Sequence, residues 1–327
     1  MIGVNSDHKS SDWITEKTKP LTDSKEVRAA SDVHYPGHPW SIVKLILLGG
    51  WVYVYTTIIP KHYPEYQYVD LLAGSGTTKI KETEDVVLGS AFVASTFAQK
   101  PFKNYVFIEK DPERFDALNK RVKLIQGKCT VLPGDCNTQI ESVFTDEKAH
   151  SLVFIDNEGF NVTWNTVEVV LRAKTDTLIN FPTSMVPRTA AESRTSASLD
   201  LFYGDRSWSS ARTREDFLEI YMQKLKNRFT ELRKSVPYVS HVRVGTGSYF
   251  YDIILICKMG PFVNAWDYLK KKLDWQDPKT IETTLDILMN RATRMDSFIR
   301  DLRNEVTSIG AKPHKKKTKH TLDQFIG

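Results

Sequence analysis

Residues 68–78 read YVDLLAGSGTT. A short apolar run ends in Asp70, and a loop of Ala73, Gly74, Ser75 and Gly76 follows. Glycine at 74 and 76 lets a ligand lie against the backbone, because a Cβ there would hold it off or forbid the backbone angles. Three classes of ligand compete for such a loop. A nucleoside triphosphate calls for G-x-x-x-x-G-K-[ST], and Lys79, three residues after Gly76, breaks that spacing. A dinucleotide calls for G-x-G-x-x-G opening straight into a helix. Here Lys79 takes the place of the third glycine, and the polar KETED stretch delays the next helix to about Ser90. No helix N-terminus then stands ready for a pyrophosphate, which disfavours an NAD-dependent oxidoreductase. S-adenosylmethionine (SAM) carries no phosphate and needs close backbone together with acceptors for its ribose hydroxyls and adenine amine.

Acceptors of that kind stand at the ends of the next two strand-like runs: Glu109 in VFIEKD and Asp135 in LPGDC. With Asp70, the loop 73–76, and Lys110 and Cys136 beside the two acids, they form the candidate cofactor set. The alternative for each acid is a helix cap or a solvent-facing side chain. The fourth run ends FIDNEGF, residues 154–160. Methylases of exocyclic DNA amines carry an acid or Asn there, then two prolines and an aromatic ring. Asp156 and Phe160 echo the acid and the ring, while Asn157, Glu158 and Gly159 replace the prolines. Asp156 is placed to accept a hydrogen bond from a nucleophile's N–H or O–H and orient it. Glu158 is a second candidate base, and Phe160 a candidate stacking surface. The fifth run ends INFPTS, so Asn180 and Pro182 are expected to wall the pocket and Arg188 to bind an anionic group of the substrate.

The elements that must position these residues alternate. Strand-like runs at Gln67–Leu72, Tyr105–Glu109, Thr130–Leu132, Leu152–Asp156 and Thr177–Phe181 are separated by helical patterns at Ser90–Gln99, Pro112–Ile125, Thr138–Phe144 and Thr163–Arg172. Such alternation predicts βαβ units and a doubly wound α/β sheet, whose ligands bind beyond the carboxyl ends of the strands. Residues 182–212 read as an irregular, Ser/Thr/Arg-rich insert. Thr213 and Asp216 then open a helix as a capping box, with Phe217, Ile220, Tyr221, Leu225, Phe229 and Leu232 as its apolar stripe. The runs Tyr238–Val244 and Tyr249–Cys257, joined by GTGS, predict an antiparallel hairpin. Two more helices, about 261–273 and 280–306, follow. Residues 40–59 hold one charge, Lys44, and are long enough to span a bilayer. The Gly49–Gly50 pair, the Thr and Tyr run and the lack of flanking basic clusters favour a buried helix with a strand-like continuation.

Five parallel-type strands followed by a hairpin resemble the class I methyltransferase fold. The residues YVDLLAGSGTTKI, GSAFVAS, FIEKD, GD, FIDNEGF and Trp164, with NFPTS, resemble the three-Cys-motif partner (TcmP) proteins over about two-thirds of the chain. That resemblance implies a class I SAM-dependent methyltransferase-like protein. It also implies association with a radical-SAM-like partner that itself carries the three cysteines. The family usually reads Asp-Pro-Phe-Gly where this chain has Asp156-Asn157-Glu158-Gly159. The reading is thus a methyltransferase acting on nucleic acid or a nucleic-acid-bound target, or alternatively a non-catalytic SAM- or nucleotide-binding partner module.

The chain has 327 residues, 41% hydrophobic and 26% charged, an ordinary globular composition. Cys129, Cys136 and Cys257 are scattered, with no metal-ligand spacing, and fit reduced thiols in a cytoplasm. No metal is expected, the first thirty residues show no signal-peptide pattern, and no membrane association is expected. Most of the net charge of +5 lies in residues 311–327, with five lysines against one aspartate. Those lysines would give salt-dependent affinity for DNA or RNA. Leu322, Phe325 and Ile326 fit the apolar positions of a peptide that docks on DNA sliding clamps, with Lys319 where Gln is usual. The expected organisation is a polar tail (1–34), a Rossmann-like domain (35–260) with a helical insert at about 183–235, C-terminal helices (261–308) and a basic tail (309–327).

Overall fold

The computed structural model describes residues 25–272 apart from 147, 193–195 and 248. The helix expected at 280–306, the basic tail and the clamp-like peptide lie outside the described residues. In chain order the elements are α1 (Lys25–Ala29), β1 (Tyr35–Gly37), α2 (Pro39–Ile58), β2 (Tyr66–Asp70), β3 (Thr77–Ile80), β4 (Val86–Leu88), α3 (Ser90–Thr96), β5 (Asn104–Glu109) and α4 (Pro112–Arg121). There follow β6 (Lys128–Pro133), α5 (Cys136–Gln139), β7 (His150–Ile155), α6 (Trp164–Arg172), β8 (Thr175–Phe181), α7 (Val186–Ala191), α8 (Ser196–Tyr203), α9 (Arg214–Arg233), β9 (Pro237–Thr246), β10 (Tyr249–Lys258) and α10 (Val263–Lys272).

Seven strands form one sheet in the order β6-β5-β2-β7-β8-β10-β9. The first five are mutually parallel, β10 runs antiparallel to β8, and β9 antiparallel to β10. This is the Rossmann-like sheet with a C-terminal hairpin that the alternation and the GTGS turn predict. The chain moves outward from β2 to β6, then returns to β7 on the other side of β2. The carboxyl ends of β2 and β7 therefore flank a topological switch point, where open α/β sheets bind ligands.

Residues 40–58 are helical throughout, and the expected strand-like continuation is absent. Pro39 opens α2 at its first helical position, and His38 and Ser41 close a capping box. The Val, Tyr and Thr residues of its second half are β-favouring, but burial against the sheet overrides that weak preference. Gly49 and Gly50 do not break the helix. They let it pack closely: a Cβ would come within 3.0 Å of Phe97 at Gly49 and 2.9 Å of Leu269 at Gly50. This stretch, through Lys61, is long and apolar enough to cross a membrane, yet 83% of its most apolar 18 residues is buried inside the protein. With α3 and α10 it covers one face of the sheet. On the other face lie α6, α8 and α9.

Two features of local structure go beyond the sequence reading. The polar stretch after the glycine loop is the turn of a β3–β4 hairpin, which joins β1 in a separate three-stranded sheet. The insert after β8 is not irregular: it folds into α7, α8 and a 3-10 turn at Ser207–Ser210. Residues 25–34, assigned above to a polar tail, dock on the domain. The fully buried Arg121 guanidinium donates to the carbonyls of Val27 (2.9 Å), Val33 (2.7 Å) and Ser31 in that segment, and to Ser75 in the glycine loop (2.8 Å).

Candidate functional site

The loop after β2 is built as its sequence suggests. Gly74 and Gly76 have φ of +62° and +84°, angles that cost a residue with a Cβ about 1–2 kcal/mol. Ala73 N–H donates to the Ile108 carbonyl at 3.0 Å, tying the loop to β5. Ser75 is buried, and its Oγ donates to the Thr77 carbonyl. After Gly76 the chain enters β3, so no helix follows the loop directly; the start of α3 returns to it instead, with Gly89 N–H donating to the Gly76 carbonyl at 2.9 Å and Gly89 and Ser90 lining the same cleft.

Glu109, at the end of β5, is fastened to that loop. Its Oε2 accepts from Gly74 N–H at 2.8 Å and its Oε1 from Asp111 N–H at 2.9 Å. The carboxylate is 7% exposed and lines a cleft together with Ala73, Gly74, Ser75 and Gly76. Tyr35 and Arg114, which stack at 4.5 Å, line it too, as do Lys110, Lys44, Asp156 and Glu158. Asp135 and the buried Cys136 lie in a smaller recess that shares Leu72, Lys110 and Asn161 with this cleft. Asp135 also caps α5: its Oδ1 accepts from Asn137 N–H and Nδ2, both at 2.8 Å. Burial pushes the Cys136 thiol up to about 12, so it is a filler here and not a nucleophile.

Asp70 does not line the cleft. It is fully buried beneath the loop, where Leu72 N–H donates to Oδ1 at 3.3 Å and the Tyr68 hydroxyl to Oδ2 at 3.2 Å. Burial, opposed by hydrogen bonding with Ser90 and assisted by the nearby charge of Asp156, raises its carboxyl to about 7. It braces the loop from below.

At the end of β7, Asp156 is gripped from both sides. Lys44 Nζ lies 2.5 Å from Oδ2, and Asn180 Nδ2 donates to Oδ1 at 2.9 Å. Asn180 also donates to the Asn157 carbonyl at 3.0 Å, so the end of β8 fixes the turn after β7. Lys44 is 9% exposed and its ammonium also sits over the Tyr251 ring at 5.6 Å. The sequence reading took Lys44 only as an obstacle to a membrane span. The available signal was a lone charge in an otherwise uncharged twenty-residue helix; a buried ammonium is tolerated only with a partner. Glu158 stands at the cleft mouth. The surrounding protein pushes its carboxyl up to about 7, and water still reaches the side chain, which tempers that shift.

Four expected substrate-side residues are not brought to the cleft lining: Asn180 acts behind it, holding Asp156 and the Asn157 carbonyl, and the other three turn elsewhere. Phe160 turns onto Phe202 in an edge-to-face contact, centroids 5.2 Å apart, because the second core offers it more apolar surface than the cleft does. Pro182 is buried, and its carbonyl accepts from Met185 and Val186 N–H at the start of α7. Arg188 is exposed on α7.

No family model and no curated protein matches the chain. Among solved structures it is similar to a Legionella pneumophila str. Philadelphia 1 protein of family DUF519, with 12% identity over 77% of this chain and 94% of that one, and a TM-score of 0.43. Trm1 from Pyrococcus horikoshii, solved with S-adenosyl-L-methionine, is 11% identical over 68% and 56%, with a TM-score of 0.41. A cofactor-bound protein from MTB is 12% identical over 64% and 78%, with a TM-score of 0.39. Likeness at this level assigns no activity.

Proposed function

We propose that the chain is a SAM-dependent methyltransferase. The observation that carries this reading is the Glu109 carboxylate clasped to Gly74 N–H at the mouth of the glycine loop. A pyrophosphate in that place would meet a fixed negative charge. A ribose would meet an acceptor with unused lone pairs, because each Glu109 oxygen takes only one backbone N–H. Asp135 Oδ2, outside the cap it makes through Oδ1, is the acceptor for an adenine amine. Loop backbone at 73–76 would hold the methionine part. Bound there, SAM supplies an electrophilic methyl on a sulfonium sulfur.

Asp156 accepts the N–H or O–H of the nucleophile and aims its lone pair, in an orientation set by Lys44 and Asn180. Glu158, raised toward neutrality, takes the proton. Radiolabelled methyl transfer from SAM onto DNA, RNA and protein pools tests this directly. Label on one pool, lost in Asp156→Ala, supports it; absence of label on every pool, with and without a radical-SAM-like partner, refutes the enzyme.

A second reading is a non-catalytic SAM-binding module. The observation in its favour is that Asp156 is ion-paired with Lys44, which makes it a weaker acceptor and base than a free carboxylate. SAM binding without transfer to any pool would select it. The nucleic-acid target, the three-cysteine partner, the sliding clamp and a cytoplasmic location rest on the resemblance, the basic tail and the thiols, and we propose them on those grounds alone.

A further inference from the structure

The sheet order separates two territories at the carboxyl edge. Glu109 and Asp135 stand beyond β5 and β6, on one side of Asp156 at the end of β7. On the other side come the end of β8 and the start of β10. Strands about 4.8 Å apart put the start of β10 roughly 10 Å from the end of β7. A substrate that approaches Asp156 without displacing the cofactor comes from that second side.

That side carries a ladder of rings. His38 stacks on Trp40 with centroids 4.4 Å apart and planes 8° apart. Trp40 in turn lies parallel to Tyr249, at 6.1 Å and 8°. Its inner end and its middle are fixed: His38 Nδ1 lies 2.6 Å from Glu82 Oε1, and the Trp40 carbonyl accepts from the Tyr251 hydroxyl at 2.9 Å. The Tyr251 ring faces Lys44, whose ammonium holds Asp156. His38 and Trp40 sit between Gly37 and Ser41, which both line the cleft. The outermost ring, Tyr249, is 66% exposed. With Trp40 parallel to it and most of its surface open, the Tyr249 ring presents aromatic surface to solvent. Phe250, the next residue of β10, points to the opposite face, where Arg214 of α9 lies over its ring at 5.5 Å, so the Tyr249 side is left to the aromatic ladder. An exposed aromatic surface of this kind matches an unpaired base, which stacks on aromatic side chains whatever its identity.

We propose that the His38–Trp40–Tyr249 ladder is the platform on which a base of single-stranded nucleic acid stacks as it is presented to Asp156. This deepens the methyltransferase reading and rests on it for the purpose of the contact, although the contact itself does not require SAM. The probe is a fluorescein-labelled 12-mer of single-stranded DNA, its RNA counterpart, the same 12-mer with abasic sites, and the duplex. Each is titrated in fluorescence anisotropy at physiological salt against full-length protein. Tyr249→Ala should weaken binding of the single strand roughly 5- to 150-fold, the range for losing one stacked base. Tyr249→Phe, which keeps the ring, should bind like wild type. Abasic substitution should weaken wild type by a similar factor and leave Tyr249→Ala unaffected.

Equal affinity of wild type and Tyr249→Ala would overturn the proposal, as would duplex binding as tight as single-strand binding. Wild type insensitive to abasic sites would also overturn it, because that result assigns the affinity to the lysine tail. SAM affinity, measured in the same variants, should not change. Loss of SAM binding in wild type with the ladder behaviour intact would refute the methyltransferase reading and leave this one standing.

Discussion

Asp70→Asn tests the reassignment of Asp70 from ligand contact to buried brace. In the folded chain the Asp70 carboxyl is raised from 3.8 to about 7, chiefly by burial. The unfolded chain releases the same proton near pH 3.9. Between those values the folded state holds a proton that the unfolded state has lost. The stabilising contribution is therefore complete below about pH 4 and is gone by about pH 7 or above. Three pH units correspond to about 4 kcal/mol at 1.36 kcal/mol per unit. Asn at 70 has no proton to lose, and its Oδ1 still accepts from Leu72 N–H. Urea denaturation of both proteins from pH 4 to pH 8 should show the variant gaining on wild type by about 4 kcal/mol across that interval. Parallel curves would refute the argument, because they would mean that Asp70 ionises as freely in the folded chain as in the unfolded one.

Other outcomes follow from the same geometry. Lys44→Met should destabilise the fold by about 3 kcal/mol, since Asp156 is left with a charge and no cation; adding Asp156→Asn should recover much of that loss, as read by thermal unfolding of the single and double variants. Gly76→Ala forces a Cβ to φ +84° and within 3.1 Å of Leu118 and 3.2 Å of Phe92, so it should lower stability by about 2 kcal/mol in urea and weaken any ligand held by the loop. Burial pushes the Cys129 thiol to about 11, Cys136 to about 12 and Cys257 well up. Iodoacetamide at pH 8 should therefore spare all three in native protein and label all three in urea.

The seven strands of the larger sheet and several helix starts are legible because local chemistry decides them. Asp111 accepts from Arg114 N–H at 2.9 Å ahead of Pro112, and Thr213 and Asp216 close their capping box. What escaped was non-local or locally misleading. Lys44 meets Asp156 across 112 positions of sequence, and no pattern in either neighbourhood names the other. Arg121 resembles any helix-end arginine until four carbonyls from two segments surround it. Residues 52–58 favour strand by type and are held helical by packing. The β3–β4 hairpin has strands of only four and three residues around a polar turn, too short to show the alternation that marks a half-buried strand. In the candidate site, Glu109, Asp135 and Asp156 follow from strand ends alone. Phe160 was judged by a neighbouring motif, and its direction is decided by Phe202, an element away.

The central claim is that the loop and Glu109 hold SAM. Isothermal calorimetry of the full chain with SAM and, separately, with NAD tests it most directly. The account predicts saturable one-to-one binding of SAM, roughly tenfold or more weaker in Glu109→Gln, because Gln has one acceptor oxygen for the two N–H groups of Gly74 and Asp111 and leaves the other facing an NH2. It predicts no heat from NAD. NAD binding at this loop, or SAM heat absent in wild type, would contradict it.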